Sequence, residues 1–125
     1  MKKESNCIND QIARMAQLES TKLKQDHTNT LVDKITCWHH DRNLIDGSTD
    51  KDQFCKLMQE AGELSDSICK GKDVSDDIGD MMVVLINIAE RNGLTVRECL
   101  QKSWNDIKDR RGKMVDGIFV KESDI

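Results

Sequence analysis

Glu60, Glu63, Asp77 and Asp80 lie in the stretch MQEAGELSDSICKGKDVSDDIGDMM, residues 58–82, as two acidic pairs each spaced three apart. Residues three apart on an α-helix share a face about one turn apart, so each pair can aim both carboxyls the same way. The pairs fall on consecutive helical segments with a short connection, which predicts antiparallel neighbours and lets four carboxylates converge. Like charges in a partly dry groove repel unless some keep protons or a cation balances them. Mg2+ or Mn2+ suits such an oxygen set, and Mg2+ completes its octahedron with water and substrate phosphates. The expected chemistry is therefore metal-assisted and acts on a phosphate-bearing substrate.

The same spacings also occur on solvated helix faces and at acid-rich helix starts, where the macrodipole favours carboxylates. A di-iron carboxylate site asks for Glu-x-x-His on two helices. His27, His39 and His40 lie away from the acidic pairs, and the adjacent His39 and His40 cannot share one helical face, so zinc is poorly served too.

The elements that must position the acids are readable from periodicity. Phe54, Leu57, Met58, Ala61, Leu64 and Ile68 follow the 3.6 period over residues 51–69, with Gly71 as the stop. The next helix is predicted from Asp73, as N-cap, to Asn92 ahead of Gly93. Residues 81–89 are apolar on nearly every face except Asn87, so this helix is expected at the centre, surrounded by neighbours. Upstream, Leu31, Ile35 and Trp38 mark a helix that stops near Asp46, Gly47 and Ser48, and residues 8–23 carry a weaker stripe through Ile8, Ile12, Met15, Ala16 and Leu23. Downstream, Thr95 and Glu98 read as a capping box opening a helix with the stripe Val96, Leu100, Trp104 and Ile107. Asp116-Gly117 between Val115 and Ile118 predicts a two-residue hairpin turn or, equally, an extended tail against a partner.

Composition agrees with an all-α, four-helix bundle-like domain. The 125 residues contain no proline, 3% aromatics and 34% charged side chains. The formal charge of −4 lacks the basic excess that duplex nucleic acid requires. The odd set Cys7, Cys37, Cys55, Cys69 and Cys99 contains no CxxC pair, which predicts reduced thiols acting as small buried apolar groups. The longest apolar run, residues 81–86, is too short to cross a bilayer, and no signal peptide opens the chain, so a soluble, cytoplasmic protein is expected.

The run QFCKLMQEAGELSDSICKGKDVSDDIGDMMVVLINIAERNGL resembles the core of MazG-like nucleotide pyrophosphohydrolases, members of the all-α NTP pyrophosphatase superfamily. Their pattern is Glu-Glu-x-x-Glu followed, after a short gap, by Glu-x-x-Asp leading into an apolar helix. SWNDIKDRRGKMVDGIFVKE looks like the C-terminal part of small, phage-type members. The resemblance covers residues 31–122 and implies a domain over 30–125 preceded by an N-terminal extension, 1–29, helical or flexible. Gln59 stands where the first Glu is frequent, and Asp77 where Glu is usual, one methylene shorter.

The resemblance implies metal ligands at Glu60, Glu63, Asp77 and Asp80 and Mg2+- or Mn2+-dependent hydrolysis of an NTP or dNTP to the monophosphate and pyrophosphate. Glu60 and Glu63 are the catalytic candidates, with Glu63 favoured as general base. For the distal phosphates the residues offer Lys102, Asn105, Lys108, Arg110, Arg111 and Lys113, a set whose basic members also complement a helix C-terminus. Lys56, one turn before Glu60, is placed to pair with it or to reach a phosphate, and Trp38 is the nucleobase candidate. A homodimer or homotetramer with sites near subunit interfaces is implied, in the host cytoplasm for a phage-encoded member. Two alternatives stay open: a non-catalytic nucleotide-sensing or protein-binding module, and a dUTP- or phosphoribosyl-ATP-type pyrophosphatase of the same architecture.

Overall fold

The computed structural model describes residues 9–14, 16 and 22–125. The protein is predominantly helical and divides into two units, Met1–Thr49 and Asp50–Ile125. Cys7, Ile8 and Met15, singled out above, lie outside the described residues.

In the first unit residues 9–14 and 16 are helical, and helix α1 spans Lys22–Asp41, passing through the 29/30 position. It ends on Asn43, at φ 56°, where the amides of Asn43 and Leu44 donate to the carbonyls of His40 (3.0 Å) and His39 (2.9 Å). This double bond closes the last turn and satisfies carbonyls that a helix end would otherwise leave open. Arg42 folds back over Trp38, its guanidinium carbon 4.3 Å from the ring centroid.

In the second unit α2 spans Asp50–Cys69, α3 Ser75–Arg91 and α4 Val96–Ile107. Asp50 and Asp52 sit in the first turn of α2, where carboxylates complement the macrodipole. The helix stops at Gly71, whose φ of 64° suits glycine, with Gly71 N–H donating to Ile68 O and Lys72 N–H to Ser67 O. The bonds Gly93 to Glu90 and Leu94 to Ala89 end α3 in the same way. The first backbone bond of α3 is accepted by Val74, so Asp73 lies one residue before the cap; its carboxylate still accepts from the Ser75 amide at 3.0 Å. The capping box opens α4: Thr95 Oγ1 accepts from Glu98 N at 3.0 Å and donates to Glu98 Oε1 at 3.2 Å.

Helices α2 and α3 are antiparallel and pack along most of their length, clasped at one end by Arg91 Nε on Asp50 Oδ1 at 3.0 Å. The less exposed positions of α2 include Leu57, Glu60, Ala61 and Leu64; those of α3 include Asp77, Asp80, Val84, Asn87 and Arg91. This spacing is helical on both, so the seam is in large part polar. Val84 and Ile86 are the buried apolar side chains among the described residues, beside a fully buried Asn87.

After α4 the chain forms the hairpin, β1 (Gly112–Val115) against β2 (Ile118–Lys121), antiparallel with Val115 opposite Ile118. Asp116 and Gly117, at φ 51° and 82°, make the two-residue turn whose twist matches the strands. A short 3-10 turn, Glu122–Asp124, follows.

Two expectations are corrected. Cys37, Cys55, Cys69 and Cys99 are exposed, not buried: Cys55 and Cys69 lie off the packed stripe of α2, and α4, which carries Cys99, buries none of its residues. Nor is α3 enclosed on all sides: α2 covers one face, while Met82 and Leu85 remain 50% and 48% exposed.

Candidate metal centre

Glu60 is carried on the packed stripe of α2, three residues after the half-buried Leu57, and its side chain is only 9% exposed. Its Oε1 is held by Lys56 Nζ at 3.2 Å, one helical turn earlier, and Lys56 also donates to Gln59 Oε1 at 3.4 Å. Glu60 Oε2 is buried with no hydrogen-bond partner. Leaving a buried carboxylate oxygen unmatched costs about 1–3 kcal/mol or more, so the position calls for a positive or donating group.

The antiparallel seam brings Asp80 of α3 and Glu63 of α2 to this carboxylate. One carboxylate oxygen from each of Glu60, Glu63 and Asp80 lies within 4.8 Å of the others. Asp77 falls outside that set, although it sits on the same stripe of α3. Its charge still reaches the cluster, helping to raise the carboxyls of both Glu63 and Asp80.

Glu63 is held above the ordinary carboxyl range chiefly by its hydrogen bond to Glu60, then by the Glu60 charge, with Lys56 opposing. Asp80 is raised first by partial desolvation and then by the charges of Asp76, Glu60 and Asp77, again against Lys56. The cluster therefore carries more negative charge than its one neighbouring cation balances. Hard carboxylate oxygens, one of them buried and unmatched, fit a divalent cation of the Mg2+ or Mn2+ type.

The phosphate-contact candidates sit elsewhere in the second unit. Lys102 and Asn105 line an open depression on α4, where Asn105 Oδ1 accepts from Gln101 Nε2 at 3.0 Å. Arg110 pairs with Asp106 at 3.3 Å, and Lys113 lies on β1 opposite Val120. Neither Lys102, Arg110 nor Lys113 is among the groups whose charge acts on Glu63 or Asp80. Trp38 belongs to the first unit, in a surface depression it shares with Asp33, Lys34 and Arg42.

Three features of the site lie beyond the spacing argument. Asp76, legible only as a helix-start acid, adds charge against Asp80. Asn87, the single polar residue of an apolar run, is completely buried. The Asp50–Arg91 clasp joins residues 41 apart, a separation that leaves no local signal.

No family model matches the chain, and no solved structure matches it. Over 64 residues it is 44% identical to an uncharacterized 18.2 kDa protein in the rep-hol intergenic region of Haemophilus phage HP1 (strain HP1c1). That stretch is 50% of this chain and 39% of the phage protein, so the similarity spans about two fifths of the relative's length.

Proposed function

We propose that this chain is a Mg2+-dependent nucleoside triphosphate pyrophosphohydrolase of the MazG-like, all-α type, with Mn2+ as an alternative ion. The observation that carries the reading is the convergence of Glu60, Glu63 and Asp80, the first of which keeps one carboxylate oxygen buried and unmatched. Glu60, Glu63 and Asp80 would hold the cation, with Asp77 adding negative charge from the same stripe of α3, and the bound ion would supply charge neutralisation for an incoming triphosphate.

The residues themselves have distinct tasks. Lys56 pins one oxygen of Glu60, while the other stays buried and unpartnered. Glu63 is the exposed member of the set, which suits it to the role of general base. In the proposed reaction Glu63 takes a proton from water as the water oxygen bonds to the α-phosphorus. The bond from that phosphorus to the α,β-bridging oxygen breaks, and pyrophosphate leaves. The matched relative comes from a phage, which suits the phage-type character of the C-terminal sequence.

The test is a panel of NTPs and dNTPs incubated with the protein and Mg2+. The reading expects pyrophosphate and a monophosphate from at least one of them. Orthophosphate as the product, or no turnover with either Mg2+ or Mn2+ across the panel, overturns it.

A further inference from the structure

Asn92-Gly93 is the one Asn-Gly step in the chain, and it stands where α3 ends against the start of α2. Each residue has its own structural reason to be there. Gly93 adopts φ 68°, a left-handed turn that suits glycine, and its amide donates to Glu90 O at 3.1 Å while Leu94 N–H closes on Ala89 O at 2.9 Å. Asn92 is the C-cap: its Nδ2 donates to Ile88 O at 2.8 Å and reaches Asp50 of α2, at 3.3 Å to Oδ2 and 3.5 Å to Oδ1. Arg91 Nε holds the same Asp50 carboxylate at 3.0 Å.

The dipeptide is also a reactive one. Both residues are exposed, and the space a side chain at 93 would fill is open, with no non-neighbouring atom within 4 Å. The unshielded Gly93 nitrogen can bond to Asn92 Cγ. As it does so, the bond from Cγ to Nδ2 breaks, and the Gly93 amide proton leaves with Nδ2 as ammonia. The five-membered imide then takes up one water and opens to aspartate or isoaspartate, with no oxidation or reduction. In the folded chain both reacting groups are engaged, Gly93 N–H on Glu90 O and Asn92 Nδ2 on Ile88 O and Asp50. Ring closure therefore waits for the last turn of α3 to open, and helix ends are among the first parts of a fold to do so.

We infer that Asn92 is a self-modification site gated by Asp50: the clasp slows deamidation, and the product breaks the clasp. A carboxylate at 92 has no N–H for Asp50 or Ile88, sets a second negative charge beside Asp50, and lies at a helix C-terminus, where the macrodipole disfavours it. Isoaspartate also lengthens the main chain by one carbon inside the turn that the Leu94–Ala89 bond closes. The acidic cluster, with Glu60 about 15 Å further along α2, takes no part. The inference is therefore independent of the pyrophosphohydrolase reading.

The full-length wild type and Asp50→Ala, each confirmed folded by circular dichroism, are held at mildly alkaline pH in heavy-oxygen water, beside urea-denatured wild type. Peptide mass spectrometry follows the amide-to-acid mass gain, with one heavy oxygen, at Asn92. Conversion is expected at Asn92 ahead of the other asparagines and more slowly in the folded than in the denatured wild type. In folded Asp50→Ala it should run roughly two- to fivefold faster than in folded wild type. Val84→Ala, which loosens the core away from the clasp, should not reproduce that acceleration. A folded wild type still unconverted when the denatured chain has fully reacted, or one that reacts as fast, overturns the inference. Equal rates in the two folded proteins, or the same acceleration in Val84→Ala, overturn the gating by Asp50. Asn92→Asp, which fixes one product, should unfold at a lower urea concentration than the wild type. An unshifted midpoint would mean that the product leaves the clasp intact, against the inference.

Discussion

Lys56 Nζ lies 3.2 Å from Glu60 Oε1 while Glu60 Oε2 stays buried and unpartnered, on a side chain whose carboxylate clusters with those of Glu63 and Asp80. The ion pair is local, one turn of α2, but its consequence spans two helices. It fixes the orientation of the most buried carboxylate while neutralising only part of the charge gathered there. Replacing Lys56 with Met removes the one cation acting on Glu63 and Asp80. Because Lys56 is half exposed, the loss of stability without metal should stay within about 1 kcal/mol. The stabilisation produced by Mg2+ should grow correspondingly, read by urea denaturation with and without the ion. An unchanged metal effect would detach Lys56 from the cluster.

The raised carboxyls of Glu63 and Asp80 set the sign of the pH dependence. A carboxyl whose folded value lies above its unfolded value contributes stability that is complete below the unfolded value and is lost as pH rises through the folded one. The metal-free protein should therefore lose stability as pH climbs out of the ordinary carboxyl range toward neutrality. Mg2+ should recover more of it at pH 7 than at pH 5. Thermal melts at the two pH values, with and without the ion, check this; a metal-free protein that gains stability over the same interval contradicts it.

Asp77 and Asp80 are separated by one turn of α3 and by role. Asp80 belongs to the 4.8 Å set and Asp77 does not. Asp80→Asn should abolish turnover, whereas Asp77→Asn should weaken metal affinity by roughly 10–100-fold, the usual cost of losing an outer partner. Titrating activity against Mg2+ concentration distinguishes them, and equal abolition at saturating metal would place Asp77 in direct contact with the ion.

At the far end of the same helix pair, Arg91 and Asn92 both reach Asp50, and Arg91 is only 15% exposed. Asp50→Ala should cost up to about 1 kcal/mol in urea denaturation, with no change in metal affinity. A matching loss of metal binding would mean that the clasp sets the register of the carboxylates as well as the stability of the pair.

How much of this was legible in the sequence follows from the range of each interaction. Several helix ends were, because caps and stops are local: Gly71, Gly93, the Thr95–Glu98 box and the Asp116–Gly117 turn all sit where their chemistry places them, whereas α1 ends at Asp41, ahead of the Asp46-Gly47-Ser48 signal, and α3 is capped by Val74 and not Asp73. So was the pairing of Lys56 with Glu60, one turn apart. The convergence of Glu60 with Asp80 followed from antiparallel neighbours, but the exclusion of Asp77 depends on side-chain reach across the seam. Exposure was the least legible property. Residues 81–89 are apolar on almost every face, which predicts enclosure, whereas one chain supplies a neighbour for only part of that surface. The cysteines were misplaced for a related reason, since a thiol's apolar character does not say which side of a helix it occupies.

The account turns on a cation seated by Glu60, Glu63 and Asp80, and calorimetric titration of Mn2+ into the wild type and into Glu60→Gln tests it most directly. The wild type should take up the ion saturably, and Glu60→Gln, with its helicity unchanged, should bind roughly tenfold or more weakly. Equal uptake by both proteins, or none by the wild type, would contradict it.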